Sequence, residues 1–120
     1  MIYKNFKIEV EEKDLQKKNL IYKWLITMKN GDVATYVGIS TRTLEKRTRE
    51  HIRDKRTSFD KFLKDNQNDI RNIKIEVVKE LKRNFKNMKW QLEKRETELI
   101  KKDKQKNPLN LNVKIDERFA

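Results

Sequence analysis

The chain has 120 residues, with 31 Lys and Arg against 19 Asp and Glu, a formal net charge of +12 and a sequence pI of about 9.9. This length allows one domain with a single modest core. The lack of cysteine excludes disulfides and thiolate metal sites, a single histidine excludes a multi-histidine zinc site, and no apolar run reaches the roughly 18 to 20 residues that span a bilayer.

The excess of positive charge favours a polyanionic partner, because Lys and Arg neutralise phosphates and release their counterions. Nucleic acid is the leading interpretation, although a lysine-rich composition also arises from coding bias and a solvated basic surface needs no ligand. Charged residues make up 42% of the chain, but apolar residues recur with regular periods, so we expect it to fold. The N-terminus does not resemble a signal peptide, which predicts a cytoplasmic protein.

We predict an arm at residues 1–18, a main domain at residues 19–116 and a short tail at residues 117–120. Apolar and polar residues alternate over residues 6–10 of the arm, which is the strand period. The residues that follow are too charged to bury. The arm is therefore either an edge strand or a mobile basic flank.

A β-hairpin is predicted next. Residues 20–28 and 33–37 are aromatic and β-branched, and Asn30-Gly31 between them is a strong turn signal. A two-residue turn would put Tyr22 and Tyr36 on opposite faces, because side chains alternate along each strand. A three-residue Asn30-Gly31-Asp32 loop with a bulge would bring both phenols to one face. If both tyrosines serve one site, we expect the odd loop or a bulge.

The second strand runs through Gly38 into a helix that carries Arg47 and the only histidine, His51. These two residues are four apart, so they lie on the same helix face, beside the apolar stripe of Leu44 and Ile52. An arginine and a histidine at the border of a buried face could hold and protonate a phosphate. The alternative is an ordinary pair on a solvated helix side.

The second half of the sequence predicts a short helix, a third strand and a long helix. Thr57 and Ser58 are plausible caps for the short helix, residues 72–78 alternate as a strand, and residues 84–87 supply caps for a helix at about residues 88–105. Glu96 falls inside the apolar stripe of that last helix. A carboxylate there is either a core-edge residue paired with an arginine or a ligand for a hard cation such as Mg²⁺.

After Pro108, apolar residues at 109, 111, 113 and 115 alternate with polar ones and predict a final extended segment. Asn110 and Asn112 lie on its polar side. Either asparagine could be a simple turn or edge residue. With two glycines in the chain, neither a P-loop nor a Rossmann fingerprint can be built.

Several of these residues, taken in order, resemble the GIY-YIG nuclease family. Leu20-Ile21-Tyr22 stands where the family has Gly-Ile-Tyr, and Tyr36-Val37-Gly38 stands where it has Tyr-Ile-Gly. The helix segment at residues 44–51 is most similar to the phage homing-endonuclease branch, and residues 95–101 are similar to the metal-binding helix. The chain departs from the family pattern at Leu20, which replaces a glycine, and between Gly38 and Arg47, where it is one residue longer.

The resemblance implies an α+β fold with a small three-stranded antiparallel sheet flanked by helices, and one divalent-metal nuclease site on the sheet surface. It implies Glu96 as the metal ligand, Arg47 as the phosphate and transition-state stabiliser, and Tyr22 as the residue that activates water. Tyr36 and His51 would orient groups or transfer protons, and Asn110 or Asn112 would anchor the site. Because the free pKa of tyrosine is about 10, Tyr22 would need a nearby cation such as Lys23 or Lys46 to act as a base.

The expected activity is metal-dependent hydrolysis of DNA, with Mg²⁺ as cofactor and Mn²⁺ as a substitute. The basic side chains expected to contact DNA are Lys23, Arg42, Lys46, Arg49 and Arg53. The alternative is a catalytically silent nucleic-acid-binding module on the same fold. Homing enzymes of this family usually carry a separate DNA-recognition module, for which the sequence has no room, so DNA specificity would come from loops, the arm, a homodimer or a targeting partner.

Overall fold

A computed structural model describes residues 2–3, 6–82 and 87–113 and gives an α+β fold, as predicted. The elements in chain order are β1 (Ile2–Tyr3), β2 (Phe6–Glu9), β3 (Leu20–Met28), β4 (Val33–Ser40), α1 (Leu44–Arg53), α2 (Ser58–Asp65), β5 (Ile70–Glu80) and α3 (Met88–Lys106). The expected tail at residues 117–120 and most of the expected cap at residues 84–87 lie outside these ranges. No helix in the described ranges is long and apolar enough to cross a membrane.

Within the described ranges, the sheet has five strands in the order β1-β2-β5-β3-β4. The predicted three-stranded antiparallel unit is present as β5-β3-β4. The prediction of three strands was nevertheless too few, because β2 pairs with β5 in parallel and β1 pairs with β2. Alternation within residues 6–10 indicates a strand, but a local pattern carries no information about which distant strand it will pair with.

The hairpin between β3 and β4 has an even register, which places Tyr22 opposite Gly38 and Trp24 opposite Tyr36. Met28 N–H donates to the Asp32 carbonyl at 2.8 Å and Gly31 N–H donates to the Met28 carbonyl at 3.0 Å. The three-residue loop is therefore 29–31, one residue earlier than predicted. Gly31 has φ +95°, so it occupies the left-handed position that ends such a loop, and the residue after it joins the ladder.

Helices cover both faces of the sheet. α1 and α2 pack on the face that carries Tyr22 and Trp24, and α3 packs on the opposite face. The buried residues of the first face are Phe6, Ile8, Leu20, Tyr22, Trp24, Ile26, Ala34, Leu44, Ile52, Phe59, Leu63, Ile73 and Ile75. Those of the second face are Ile21, Val37, Leu81, Leu92 and Ile100. Because β3 contributes its even-numbered residues to one layer and Ile21 to the other, it forms the centre of the core.

The two short helices begin at side-chain caps that the sequence specifies. The Thr43 side chain accepts a hydrogen bond from Lys46 N–H at the start of α1. Thr57 and Asp60 form a capping box at the start of α2, in which each side chain accepts from the other residue's backbone N–H. These caps fix where the two helices enter the layer above Tyr22.

Candidate active site

The ring of Tyr22 lies directly across the backbone of Gly38 on the neighbouring strand. A Cβ atom on Gly38 would be 2.5 Å from the Tyr22 hydroxyl oxygen and 2.6 Å from its ring carbon Cζ. A register shift in the β3–β5 pairing falls between Ile21 and Tyr22 and marks a bulge beside this residue. The glycine of the second tyrosine motif is therefore needed because the phenol of the first motif occupies the space of its side chain.

Tyr22, His51 and Asp60 form a continuous buried chain of hydrogen bonds. The Tyr22 hydroxyl lies 2.6 Å from His51 Nε2, and His51 Nδ1 lies 2.7 Å from Asp60 Oδ1. Tyr22 and His51 are both 0% exposed, and Asp60 is 3% exposed. The chain links β3, α1 and α2, which are far apart in sequence.

The charge states of this chain follow from its surroundings. Burial lowers the pKa of His51, and the hydrogen bond to Asp60 opposes this without reversing it. Burial raises the pKa of Asp60, but hydrogen bonds from His51 and Thr57 outweigh it and hold that pKa below its usual range. A carboxylate only accepts, so His51 Nδ1 is the donor in its hydrogen bond with Asp60. When His51 is neutral, this leaves Nε2 as the atom that can accept the hydroxyl proton of Tyr22.

Arg47 contacts the Tyr22 phenol from the same helix face as His51. Burial raises the pKa of Tyr22 well above its ordinary value, whereas the charge and hydrogen bond of Arg47 lower it. Glu50 is buried and holds two arginines: Arg42 contacts both its oxygens at 2.6 and 2.7 Å, and Arg47 Nη1 lies 3.6 Å from Oε2. The Arg47 guanidinium is thereby directed by Glu50 on one side and Tyr22 on the other.

Tyr36 and Glu96 line a cleft of about 350 Å³ at the β4 edge of the sheet. The Tyr36 ring stacks on Phe59 with centroids 3.9 Å apart and meets the His51 ring edge-on at 5.6 Å. Burial raises the pKa of Tyr36 to about 12, and the charge of Glu96 adds to this. Glu96 also raises the pKa of Tyr22. The Glu96 carboxylate is therefore close enough to raise the pKa of both phenols.

Glu96 is the residue that could hold a divalent cation. It is half-buried and lines the cleft. Among the residues that the structure describes, no group of three or more His, Cys, Asp or Glu side chains could hold a metal ion. A single carboxylate suits Mg²⁺, which commonly takes one or two protein carboxylates and completes its shell with water and substrate phosphate. The donor set fits that ion and does not fit a structural zinc site.

Asn112 anchors the segment after α3 against β4. Its side-chain oxygen accepts from Val37 N–H at 2.9 Å, and its amide group donates to the Val37 carbonyl at 2.8 Å. The backbone of the segment pairs with Thr35, and Asn110 donates to Asp103 at 2.6 Å and to the Asn112 side-chain oxygen at 3.1 Å. Both asparagines belong to one network, but Asn112 is the one that binds the strand beside Tyr36 and lines the cleft.

The comparison with known families agrees with this arrangement. A family model described as the GIY-YIG catalytic domain matches residues 18–110. The chain belongs to the GIY-YIG family. No curated protein and no solved structure gave a match. Members of the GIY-YIG family are typically endonucleases, and the fold is of the nuclease type.

The structure brings the GIY-YIG positions together beside one cleft. Tyr22, Arg47 and His51 are in mutual contact or linked by hydrogen bonds, and Tyr36 and Glu96 adjoin them across the cleft. The cleft beside them lies at the β4 edge and is lined by residues of α2 and α3. Helices α1 and α2 cover the face on which both phenols lie.

The predicted DNA-contacting side chains have varied surroundings. Lys23 lies on the opposite face from Tyr22 and pairs with buried Asp103 at 2.7 Å, so it is not the cation beside that phenol. Arg47 takes that place. Lys46 is exposed on α1. The other three pair with carboxylates while remaining partly exposed: Arg42 with Glu50, Arg49 with Glu45, and Arg53 with Asp54. Their contacts with DNA stay a prediction.

Sequence reasoning missed Asp60, Glu50 and Arg56 as residues of the site. The Thr57-to-Asp60 spacing is a readable capping signal, but the second contact of Asp60 with His51 depends on the angle between α1 and α2. Glu50 sits one position before His51 and is read from sequence as an ordinary helix charge. Arg56 lines the cleft with a side chain that is 80% exposed. The spacing of Arg47 and Glu50 on one helix is a readable pattern. The contacts of Asp60 with His51 and of Arg56 with the cleft, in contrast, are products of the tertiary fold.

Proposed function

We propose that this GIY-YIG domain is a metal-dependent endonuclease that hydrolyses phosphodiester bonds in DNA. The observation that carries the proposal is the convergence of Tyr22, Arg47 and His51 beside a cleft lined by Tyr36 and Glu96. Phosphodiester hydrolysis needs an activated water, positive charge beside the phosphoryl oxygens and protonation of the leaving oxygen. The residues around this cleft can meet the first two needs.

Arg47 is the proposed phosphate ligand. Its planar guanidinium offers several donors in a geometry suited to phosphate oxygens. In the resting site the Arg47 guanidinium contacts Glu50 on one side and the Tyr22 phenol on the other. In the proposed complex Arg47 keeps its contact with Glu50, and the phosphate replaces the phenol. Tyr22 has no exposed surface, so its oxygen becomes available to water when Arg47 turns from the phenol towards the phosphate.

Tyr22 is the proposed activator of the attacking water, and His51 is its proton acceptor. His51 Nε2 lies 2.6 Å from the Tyr22 hydroxyl oxygen, so it is placed to take the hydroxyl proton. Tyr36 faces the cleft and orients water or substrate. A divalent cation held by Glu96 would supply further positive charge beside the phosphate.

The test is a cleavage assay on supercoiled plasmid with Mg²⁺ or Mn²⁺. We expect the wild-type protein to nick or linearise it, and we expect Glu96→Gln and Arg47→Ala to lower the rate at least about 100-fold, since each removes charge stabilisation of the transition state. Glu98→Gln makes the same chemical change at an exposed position of α3 and should keep the wild-type rate. Equal cleavage by all four proteins would contradict the proposal, as would no wild-type cleavage across linear, branched, DNA and RNA substrates.

A catalytically silent nucleic-acid-binding module is the second candidate, favoured by the net charge of +12. It predicts salt-sensitive binding that needs no metal and is unchanged in Glu96→Ala. For either candidate, loops, the N-terminal arm, a homodimer and a targeting partner are proposed sources of DNA specificity. Analytical ultracentrifugation with and without DNA would distinguish the homodimer from the other sources.

A further inference from the structure

We propose that Asp60 is a positioning residue of this site: it holds His51 with the proton on Nδ1, so that Nε2 takes the Tyr22 proton when the phenol activates water. The inference rests on the proposed nuclease function. Asp60 is not among the residues on which the resemblance to the GIY-YIG family is based. Its role comes from the 2.7 Å contact between its Oδ1 atom and His51 Nδ1.

The two carboxylate oxygens of Asp60 accept hydrogen bonds from different partners. Oδ2 accepts from the backbone N–H groups of Arg56 and Thr57, both at 3.3 Å, which fixes the carboxylate at the start of α2. Oδ1 points to His51 instead. A capping residue needs only the first set of contacts. The contact of Oδ1 with the histidine is therefore additional to the cap, and the cap keeps the carboxylate from rotating away.

The surroundings of the imidazole fix its orientation as well. The rings of Trp24, Tyr36 and Phe59 each meet it edge-on, with centroids 5.6, 5.6 and 5.2 Å away. The titratable and charged groups that face it are Tyr22 from β3, Tyr36 from β4, Arg47 and Glu50 from α1, and Asp60 from α2. Among these, Asp60 is the carboxylate in hydrogen-bonding contact with Nδ1, so it selects the tautomer.

The proton transfer balances without any further reactant. The O–H bond of Tyr22 breaks and an N–H bond forms at His51 Nε2, which leaves a phenolate on Tyr22 and an imidazolium beside the Asp60 carboxylate. The phenolate takes a proton from the attacking water as the new P–O bond forms. The P–O bond to the leaving oxygen breaks, and that oxygen takes a proton from solvent. His51 then returns its proton to solvent. Asp60 stabilises the transient imidazolium, as the aspartate of a Ser-His-Asp triad does.

Asp60→Asn reverses the polarity of this contact with little change in shape. The asparagine oxygen can keep the cap by accepting from Arg56 and Thr57 N–H, which turns its NH₂ group towards His51 Nδ1. Nδ1 must then accept, so the imidazole proton moves to Nε2 and the Tyr22 hydroxyl loses its acceptor. Asp65→Asn is the matched control, because it makes the same change at an exposed position of the same helix.

The experiment combines ¹⁵N NMR of the histidine with cleavage kinetics. His51 is the only histidine, so its ring nitrogens give an unambiguous signal. We expect the Nδ1–H form in the wild type and in Asp65→Asn, and the Nε2–H form in Asp60→Asn. We expect Asp60→Asn to lose about 10²- to 10⁴-fold in kcat with KM changed little, which is the range that general base catalysis contributes. In the wild type, protonation of His51 should lower the rate at low pH, and this decrease should be absent from the pH–rate profile of Asp60→Asn.

Three outcomes overturn the proposal. One is an Nε2–H tautomer in the wild type, which needs no variant to fold. Another is an Asp60→Asn protein that keeps Nδ1–H. The last is a reversed tautomer with undiminished kcat. If the wild-type protein cleaves no substrate, the proposed function fails, and the tautomer in the two proteins still decides whether Asp60 positions His51.

Discussion

At Gly38 the second strand of the hairpin leaves space for the ring of Tyr22. An added Cβ would lie 2.5 Å from the phenol oxygen, closer than any real contact allows. We therefore expect Gly38→Ala to push the ring from its position over β4, lower the free energy of unfolding by about 1 to 3 kcal/mol as overpacking does, and reduce cleavage. Urea unfolding and the plasmid assay measure the two effects.

A double-mutant cycle separates this clash from a backbone effect. Gly38→Ala should be less destabilising by about 1 kcal/mol or more in a Tyr22→Ala background, because the clash partner is gone. Gly31→Ala is the comparison: its Cβ would meet nothing within 4 Å, and its cost of about 1 kcal/mol comes from the positive φ. An additive Gly38–Tyr22 cycle would contradict the predicted contact.

The buried histidine makes stability depend on pH. The pKa of His51 lies below its ordinary value of 6.5, mainly because of burial. The unfolded chain therefore binds this proton first as the pH falls. The stability that neutral His51 contributes is fully present above the pKa that His51 has in the unfolded chain. It is lost as the pH falls below that value, by at most about 1.4 kcal/mol per pH unit. Urea unfolding between about pH 7 and pH 5 should show this slope, and His51→Gln should lack it.

At the scale of single residues, sequence could identify the participants but only part of their arrangement. Tyr22, Tyr36, Arg47, His51 and Glu96 carry recognisable motif positions. The requirement that two phenols share a face predicted an odd loop or a bulge, and the hairpin has the odd loop with an even register, because side chains alternate along a strand. The sequence could not show that Tyr22 would be fully buried and that Tyr36 would face the cleft, since both depend on how α1 and α2 cover the sheet.

Among the elements, the segment after α3 is held in part by the side-chain amide of Asn112. Asn112 both accepts from and donates to the backbone of Val37. Asn112→Asp keeps the shape but cannot donate, and it brings a carboxylate against a carbonyl oxygen. We expect a loss of about 1 to 3 kcal/mol in stability, measured by urea unfolding, and faster hydrogen exchange at the Val37 amide.

Asn68→Asp is the control for this change, because Asn68 is exposed. It should leave both the unfolding transition and the exchange of Val37 unaltered. If Asn112→Asp behaves like this control, the segment is not held by the carboxamide. A stability loss without any loss of cleavage would mean that the segment supports the fold and not the site.

The same segment shows why the final extended stretch could be predicted while its partner could not. Alternation after Pro108 indicates extended backbone, but the segment is held by Asp103, which collects hydrogen bonds from Thr35 and Asn110 and an ion pair from Lys23. Burial raises the pKa of Asp103, and these donors outweigh it and keep that pKa below its usual range. Asp103 on α3 thus contacts β3, β4 and the segment. These contacts arise only in the tertiary fold, so the sequence could not reveal them.

For the whole molecule, the net charge of +12 predicts DNA binding that weakens steeply with salt. Lys46 is exposed on α1 next to Arg47. Lys46→Ala should lower the affinity for all DNA sequences alike and reduce the slope of log K against log salt by about 1, if this lysine contacts one phosphate. Fluorescence anisotropy over a salt series measures both quantities. An unchanged slope would place Lys46 outside the DNA interface.

Strand β2 lies before the region that the family model matches, yet it is hydrogen-bonded into the sheet. It pairs in parallel with β5, and its Phe6 and Ile8 are buried in the layer that also holds Tyr22. A domain boundary at residue 18 would therefore remove buried apolar side chains from the layer that holds Tyr22. A fusion of this domain to a DNA-targeting protein should be joined ahead of Phe6.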